Sequence, residues 1–253
     1  MLYRDTENHG LVEVNATTEV SYEAQDGMKT VIPLGDHWRQ VLVQTSGGLD
    51  SALLLYLVSK TLKEVNSKAK IIPLSLEVPI KAKNLSSARA VISKVREITE
   101  NPNILPGIEI GIPVEKSHPP HKNQFFNDVI MDLYRAQVFD FEMNGNTKNP
   151  PEEVRRDFLY DEYRQTDRDS RLTIYNAPIS ASPHAMIDKS GIVYLYQKEG
   201  LIDELAPLTL SCDMNLSEIE ERNLSVPCGI CWWCRERQWG FDSNQLKDPA
   251  QLV

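Results

Sequence analysis

The hexapeptide Ser46-Gly47-Gly48-Leu49-Asp50-Ser51 has the composition of an anion-binding turn. It follows a short apolar run at residues 41–44 and precedes a helical pattern over residues 52–58, which predicts a strand, a glycine turn and a helix start. Glycines let a ligand approach the backbone closely, and the free N–H groups of a helix N-terminus favour negative charge. The serine hydroxyls can add donors, and the Asp50 carboxylate can hold a cation. We therefore predict that this hexapeptide, called the glycine loop below, binds phosphate groups.

Other interpretations of the glycine loop have less support from its residues. No lysine follows the glycines, so it is not the GxxxxGK[ST] phosphate loop. An ordinary strand-to-helix turn, in which Ser or Asp caps the helix, is the alternative that stays open.

The cysteines form the second group of residues whose spacing indicates chemistry. All four lie near the C-terminus in the pattern C-x15-C-x2-C-x2-C, as Cys212, Cys228, Cys231 and Cys234. Two residues between cysteines let their thiolates converge on one tetrahedral ion, so the pattern favours zinc. Four protein ligands would close the coordination sphere and make this zinc structural. An iron–sulfur cluster or a redox CxxC pair stays open, whereas disulfides would need an oxidising compartment.

Composition excludes several classes of protein. The chain has 253 residues, of which 41% are hydrophobic and 25% charged, values that are ordinary for a soluble globular protein. The net charge of −9 argues against an extensive nucleic-acid surface. The run that contains Arg155, Arg156 and Arg164 is interspersed with acids, which predicts an exposed mixed-charge helix. No apolar stretch has the length of a membrane span or a signal peptide, so we expect a cytoplasmic protein.

The elements that must position these residues alternate along the chain. Residues 1–37 predict an N-terminal β extension, with a hairpin that turns at Asp26-Gly27. Residues 38–206 predict an α/β domain, and residues 207–253 a C-terminal zinc-binding segment. Such alternation gives a parallel sheet with helices on both faces and with ligands at the carboxyl ends of its strands. The predicted strands lie at 41–44, 71–78, 108–114, 137–143 and 172–177, and the predicted later helices at 85–98, 123–134 and 187–199.

The glycine loop resembles the SGGxDS loop of the PP-loop ATP pyrophosphatases, enzymes with a Rossmann-like fold of the HUP class. Members of that family cleave ATP between the α and β phosphates and adenylate a substrate group. The resemblance implies that residues 46–51 hold the departing pyrophosphate and that Asp50 helps to position Mg²⁺. It also implies ATP as the nucleotide.

The glycine loop and the cysteine cluster together resemble the 7-cyano-7-deazaguanine synthase family, over most of residues 41–241. Residues 208–212 are similar to that family's Leu-Thr-x-Ser-Cys, and residues 228–235 to its zinc-binding CGxCxxCxxR. The resemblance implies Zn²⁺ on the four cysteines, a small carboxylate substrate such as 7-carboxy-7-deazaguanine, and ammonia as the second substrate. It implies that the product is an amide or a nitrile, and it suggests a homodimer.

The same resemblance gives candidate site residues outside the glycine loop. Lys189, near the start of the late helix, is a candidate catalytic residue that contacts phosphate, and a solvated lysine is the alternative. Trp232 and Trp233 are expected to pack or to form an interface rather than to bind substrate. The candidate substrate-binding residues are Lys122, Asn123, Gly145, Asn146 and Arg155.

Two other functions stay open from the sequence. One is a PP-loop enzyme that modifies tRNA, such as a sulfurtransferase, although the net charge and the clustering of all cysteines count against it. The other is a nucleotide-binding module without catalytic activity. The family's substrate segments have no clear counterpart at residues 77–81 and 149–155, which leaves the acceptor carboxylate open.

Overall fold

The computed structural model describes residues 2–4, 11–79, 83–117, 121–155 and 173–251. Its strands are β1 (Leu2–Arg4), β2 (Leu11–Glu13), β3 (Thr18–Glu23), β4 (Lys29–Leu34), β5 (Gln40–Gln44), β6 (Lys70–Glu77), β7 (Ile108–Gly111), β8 (Phe141–Met143), β9 (Tyr175–Ala177) and β10 (Ser180–Ala181). Its α-helices are α1 (Leu49–Glu64), α2 (Lys83–Thr99), α3 (His121–Arg135), α4 (Glu152–Arg155), α5 (Lys189–Lys198), α6 (Leu216–Glu221) and α7 (Trp232–Ser243). Arg156 and Arg164 of the predicted arginine run, and Leu172 of the predicted fifth strand, lie outside the described residues.

The central sheet has six strands in the order β7-β6-β5-β8-β10-β9. All neighbouring pairs are parallel except the edge strand β9, which pairs antiparallel with β10. The chain moves outward from β5 through β6 to β7, and then returns to place β8 on the other side of β5. A reversal of this kind opens a crevice at the carboxyl ends of the strands, directly after β5.

Helices cover both faces of this sheet, as the alternation of elements predicts. Alternate residues of β5 point in opposite directions, so Val41 and Val43 lie in one core with α1, α2 and α5, whereas Leu42 lies in a second core. In that second core, Phe126 and Ile130 of α3 pack near Leu42. The predicted Rossmann-like α/β architecture is therefore confirmed.

The predicted N-terminal hairpin is also present. Strands β3 and β4 pair antiparallel, and Asp26 and Gly27 between them take positive φ angles of 53° and 74°. Ile32 and Leu34 of β4 join the main core, and the amide of Val31 donates to the carbonyl of Pro183 at 3.0 Å. The hairpin therefore packs on the α/β sheet with which it shares a core.

Three predicted strands are shorter in the structure. Strand β7 ends at Gly111 because Pro113 leads into a 3-10 turn at Val114–Lys116. Strand β8 does not begin at Gln137, because that residue has a φ of 57° and ends α3 in a left-handed cap. The predicted fifth parallel strand is the antiparallel edge strand β9, and β10 takes the parallel position beside β8.

None of the helices in the described part of the chain combines the length and the apolar character that crossing a bilayer requires.

Candidate functional site

The glycine loop joins β5 to α1 at the crevice of the sheet. Gly47 has a φ of 81°, a conformation that side chains other than glycine rarely adopt. Gly48 is the N-cap of α1 and supplies no side-chain hydrogen bond to the first turn. No side chain of the N-cap occupies the N-terminus of this helix, which is 16 residues long, and it is therefore available to an anion.

Serine hydroxyl groups hold the loop in shape. The Ser51 hydroxyl lies 3.1 Å from both the amide nitrogen and the hydroxyl of Ser46, and it donates to the carbonyl of Gly48 at 3.1 Å. Ser51 and Leu49 are buried, whereas Ser46 is exposed. We therefore expect Ser51 to support the loop from within and Ser46 to meet a ligand.

Lys189 brings a positive charge to the loop. Its Nζ donates to both carboxylate oxygens of Asp50, at 2.6 and 2.5 Å, and lies 3.7 Å from Oε2 of Glu236. The Lys189 side chain is only 3% exposed and that of Glu236 1%, whereas that of Asp50 is 24% exposed. Asp188 begins α5 by accepting from the amides of Ser190 and Gly191, which fixes Lys189 at the first helical position. The interpretation of Lys189 as a solvated lysine is therefore wrong.

A cavity of about 340 Å³ opens above the glycine loop. It brings together most of the residues that the sequence predicts for the site. Gly47, Leu49 and Ser51 lie in the loop without lining the cavity, and Asn123 and Arg155 are not among the described residues that line it. The predicted residues that do line it are Ser46, Gly48, Asp50, Lys122, Gly145, Asn146 and Lys189.

Gly145, in the loop after β8, lies close to the backbone of the glycine loop. A Cβ atom built on Gly145 would lie 3.2 Å from the amide nitrogen and 3.3 Å from the Cα of Ser51. Both are backbone atoms, so a larger residue would have to move one of the two loops. Gly145 therefore sets the width of the crevice beside the helix N-terminus.

The four cysteines form one buried cluster in which all Sγ atoms lie within 4.8 Å of one another. All four are free thiols, so no disulfide links them. The Sγ atoms of Cys228 and Cys234 are 3.9 Å apart, and the amide of Cys231 lies 3.4 Å from Sγ of Cys228. Gly229 has a φ of 71°, which permits the tight turn between Cys228 and Cys231. Hydrogen bonds from Cys231 and Cys234 are the largest causes that lower the pKa of Cys212.

The cysteine cluster touches the cavity through residues 210–213. The amide of Leu210 donates to the carbonyl of Gly47 at 2.9 Å, and Cys212 lines the cavity together with Asp213. Trp233 also lines the cavity, which places it at a potential ligand site where the sequence predicts packing or an interface.

Arg237 anchors this region, and the arginine of the CGxCxxCxxR pattern, when counted from Cys228, falls on this residue rather than on Arg235. Its guanidinium is 3% exposed and makes a bidentate pair with Asp248 at 2.8 and 2.9 Å. It also donates to Oγ1 of Thr209 at 2.6 Å and to the carbonyl of Ala206 at 3.2 Å. Its position three residues after Cys234 is the signal that could have identified it, since that spacing places both on one face of α7.

His184 is fully buried, and its neighbours include Asp50 of the glycine loop. Its Nδ1 lies 2.8 Å from the hydroxyl of Thr30 in β4. Burial is the largest cause that lowers the pKa of His184 to about 4, and Asp50 acts in the opposite direction. The imidazole is therefore neutral at physiological pH and supports the loop without adding charge to it.

Comparisons with known proteins give likenesses of fold only. No family model matches the sequence, and no curated protein matches it. The structure is similar to that of the U34-tRNA thiolase NcsA from Methanococcus maripaludis with its [4Fe-4S] cluster, with 13% identity, a TM-score of 0.45, and coverage of 81% of this chain and 70% of that one. It is also similar to NAD+ synthetase from Burkholderia pseudomallei, with 14% identity, a TM-score of 0.37, and coverage of 64% and 66%. The function proposed below is therefore inferred from the geometry of this chain's own site.

Proposed function

We propose that this chain is an ATP pyrophosphatase that adenylates a carboxylate substrate. The observation that carries the proposal is the uncapped N-terminus of α1, which faces the same cavity as Asp50 and Lys189. Backbone N–H groups and a buried ammonium are the groups that stabilise charge developing on a departing pyrophosphate. Asp50, which lines the cavity, is the side chain that would hold Mg²⁺, and the ion would supply positive charge for the phosphate groups.

In the proposed reaction the protein positions two substrates and stabilises charge. A carboxylate oxygen attacks the α-phosphorus of ATP, the bond from that phosphorus to the bridging oxygen breaks, and pyrophosphate leaves with the electron pair. Ammonia then forms a C–N bond to the activated carbon, displaces AMP and loses a proton to solvent, which gives an amide. The amide oxygen attacks the α-phosphorus of a second ATP and releases pyrophosphate, and loss of AMP and a proton from the adenylated amide leaves a nitrile. The glycine loop and Lys189 would neutralise the pyrophosphate at both adenylations.

The acceptor that we propose is 7-carboxy-7-deazaguanine or a related planar carboxylate. The cavity supports this proposal because Lys122 supplies a cation for a carboxylate, while Phe126 and Trp233 supply aromatic surface for a ring. Asn146 lies at the same cavity and can add a polar contact. Ammonia would enter as the second substrate.

The cysteine cluster is proposed to hold Zn²⁺. Zinc–thiolate bonds of about 2.3 Å place the sulfurs of a tetrahedral site about 3.8 Å apart. The 3.9 Å between Sγ of Cys228 and Sγ of Cys234 fits this geometry, and so does the confinement of all four sulfurs within 4.8 Å. The four thiolates would saturate zinc, whose contribution would be to fold residues 210–234.

One observation favours a second candidate, a tRNA-modifying sulfurtransferase. Cys212 lines the cavity beside the glycine loop, so a sulfur atom lies near the place where an adenylate would form. The net charge of −9 counts against the RNA surface that such an enzyme needs.

The test incubates the purified chain with ATP, Mg²⁺, ammonium and 7-carboxy-7-deazaguanine. We expect AMP and pyrophosphate in equal amounts, and the nitrile by mass spectrometry. Asp50→Asn should abolish AMP release, whereas Asp132→Asn, at an exposed position on α3, should not change it. Formation of ADP and phosphate would contradict the pyrophosphatase proposal. AMP formation only with tRNA as acceptor would favour the second candidate.

A further inference from the structure

A buried polar network lies beneath the cavity, where β5 and β8 end. Its centre is Glu142, which is 2% exposed. Glu142 Oε1 accepts a hydrogen bond of 2.6 Å from Nε2 of Gln44, and Oε2 accepts one from the Ser180 hydroxyl. The Asn144 side chain also hydrogen-bonds to this carboxyl group. The reaction proposed above gives this carboxyl group no role.

Burial of an ionisable carboxyl group at this position of the sheet is energetically unfavourable. Glu142 pairs with Leu42 in the parallel register of the sheet, so it lies on the face that carries the second core. Burial, the largest cause, raises the pKa of Glu142 to about 7, although hydrogen bonds from Ser180, Gln44 and Asn144 act in the opposite direction. Buried carboxyl groups with raised pKa values are concentrated at functional sites.

The network fixes the orientation of one side chain that reaches the cavity. The Gln44 amide has a donor end, Nε2, and an acceptor end, Oε1. Both oxygens of the Glu142 carboxyl group accept hydrogen bonds in the structure, as an ionised carboxylate does, and Gln44 accordingly turns Nε2 toward it. Gln44 also lines the cavity, two residues before Ser46 of the glycine loop. The carbonyl oxygen is therefore the end of the amide that Gln44 can offer to a ligand.

We propose that Gln44, oriented by Glu142, is a hydrogen-bond acceptor that selects an N–H group of the ligand in the nucleotide cavity. Glu142 is then a positioning residue, because it acts on the ligand through Gln44. The N–H group can belong to the adenine amino group of ATP, to ammonia, or to an amino group of the acceptor. The inference rests on the proposed function in that the cavity must bind ATP.

The test compares ATP with inosine triphosphate, in which a carbonyl oxygen replaces the adenine amino group, by isothermal titration calorimetry. In Glu142→Gln, the new amide can donate to the carbonyl of Gln44 and let its NH₂ group turn toward the cavity. We expect the preference for ATP over inosine triphosphate to fall about tenfold, as for one mismatched hydrogen bond. A second result also supports the proposal. In that result, Glu142→Gln keeps the preference for ATP over inosine triphosphate but raises the KM for ammonium or for 7-carboxy-7-deazaguanine about tenfold at constant kcat. That result would place the N–H group on the second substrate.

Two further variants separate positioning from folding. Ser180→Ala removes another hydrogen bond to Glu142 but leaves the amide of Gln44 in place, so ligand preference should stay unchanged. Gln44→Met keeps the size of the side chain without its acceptor and should reproduce the loss seen in Glu142→Gln. The inference is wrong if Glu142→Gln and Ser180→Ala have equal effects. It is also wrong if folded Gln44→Met changes neither the preference for ATP over inosine triphosphate nor the KM for ammonium or for 7-carboxy-7-deazaguanine. A wild-type chain that binds neither nucleotide would overturn the proposed function together with this inference.

Discussion

Lys189 and Asp50 join the N-termini of two helices by a bidentate ion pair. The ammonium of Lys189, at the first position of α5, lies 2.6 and 2.5 Å from the two carboxylate oxygens of Asp50 in the first turn of α1. Glu236 of α7 lies on the same ammonium at 3.7 Å. A single buried ammonium thus contacts two carboxylates beside the cavity, and its charge balances one of the two.

Lys189→Met should destabilise the fold by about 3 kcal/mol, because it leaves two carboxylates facing one buried site without a cation. Asp50→Asn should change stability much less, because the Lys189 ammonium keeps Glu236 as a partner. Urea unfolding measures both effects. A Lys189→Met variant as stable as the wild type would show that this ammonium does not hold the three helices together.

Gly145→Ala should weaken pyrophosphate and ATP binding by about tenfold. The Cβ of the new alanine would lie 3.2 Å from the amide nitrogen of Ser51, so the loop after β8 would have to move away from the backbone of Ser51. Calorimetric titration measures the affinity. Gly111→Ala is the matched control, since its Cβ would meet only the Glu77 carboxylate at an ordinary 3.9 Å. Unchanged affinity in Gly145→Ala would mean that the crevice tolerates a wider spacing.

The parts of the site that the sequence predicts are those encoded by neighbouring residues. Residues 46–51 carry their own glycines and helix start, and Cys228, Cys231 and Cys234 carry their own spacing, so both are visible without the fold. The pairing of Glu142 with Gln44 is not, because the two residues are far apart in the chain and meet only where parallel strands lie side by side. A lone Glu or Gln has no local pattern that marks it as buried.

The fold was predicted at the level of element type and missed at some boundaries. The helical pattern of residues 85–98 is confirmed as the interior of α2. Strand β8 was predicted too long because Val138 and Phe139 are apolar, yet Val138 closes the helix cap by donating to the carbonyl of Leu133 at 3.0 Å. An apolar residue indicates that its side chain is buried, but side chains at a helix cap are buried as well as those in a strand, so apolar character alone does not separate the two.

The neutral state of His184 predicts a loss of stability in acid. Its pKa is lowered from 6.5 to about 4 in the folded chain, so the unfolded chain binds a proton at a higher pH than the folded one. The contribution to stability is therefore present above about pH 6.5 and lost as the pH falls to 4. Urea unfolding at pH 7 and pH 4.5 should show a smaller difference for His184→Gln than for the wild type. His37→Gln, at an exposed histidine, should behave as the wild type does, and equal pH dependence in all three chains would refute this role.

Loss of the proposed zinc ion should weaken nucleotide binding as well as stability. Cys212 lies two residues from Leu210, whose amide donates to the carbonyl of Gly47 at 2.9 Å, so release of the ion would free the segment that braces the glycine loop. We expect about one zinc ion per chain by elemental analysis, and a Cys231→Ser variant with less metal, a lower Tm and at least about tenfold weaker pyrophosphate binding. Ser225→Ala, at an exposed residue of the same region, is the control and should keep its metal. Iron with acid-labile sulfide in place of zinc would overturn the zinc assignment.

Full pyrophosphate affinity in metal-free Cys231→Ser would show that the hydrogen bond between Leu210 and Gly47 holds the glycine loop without the ion.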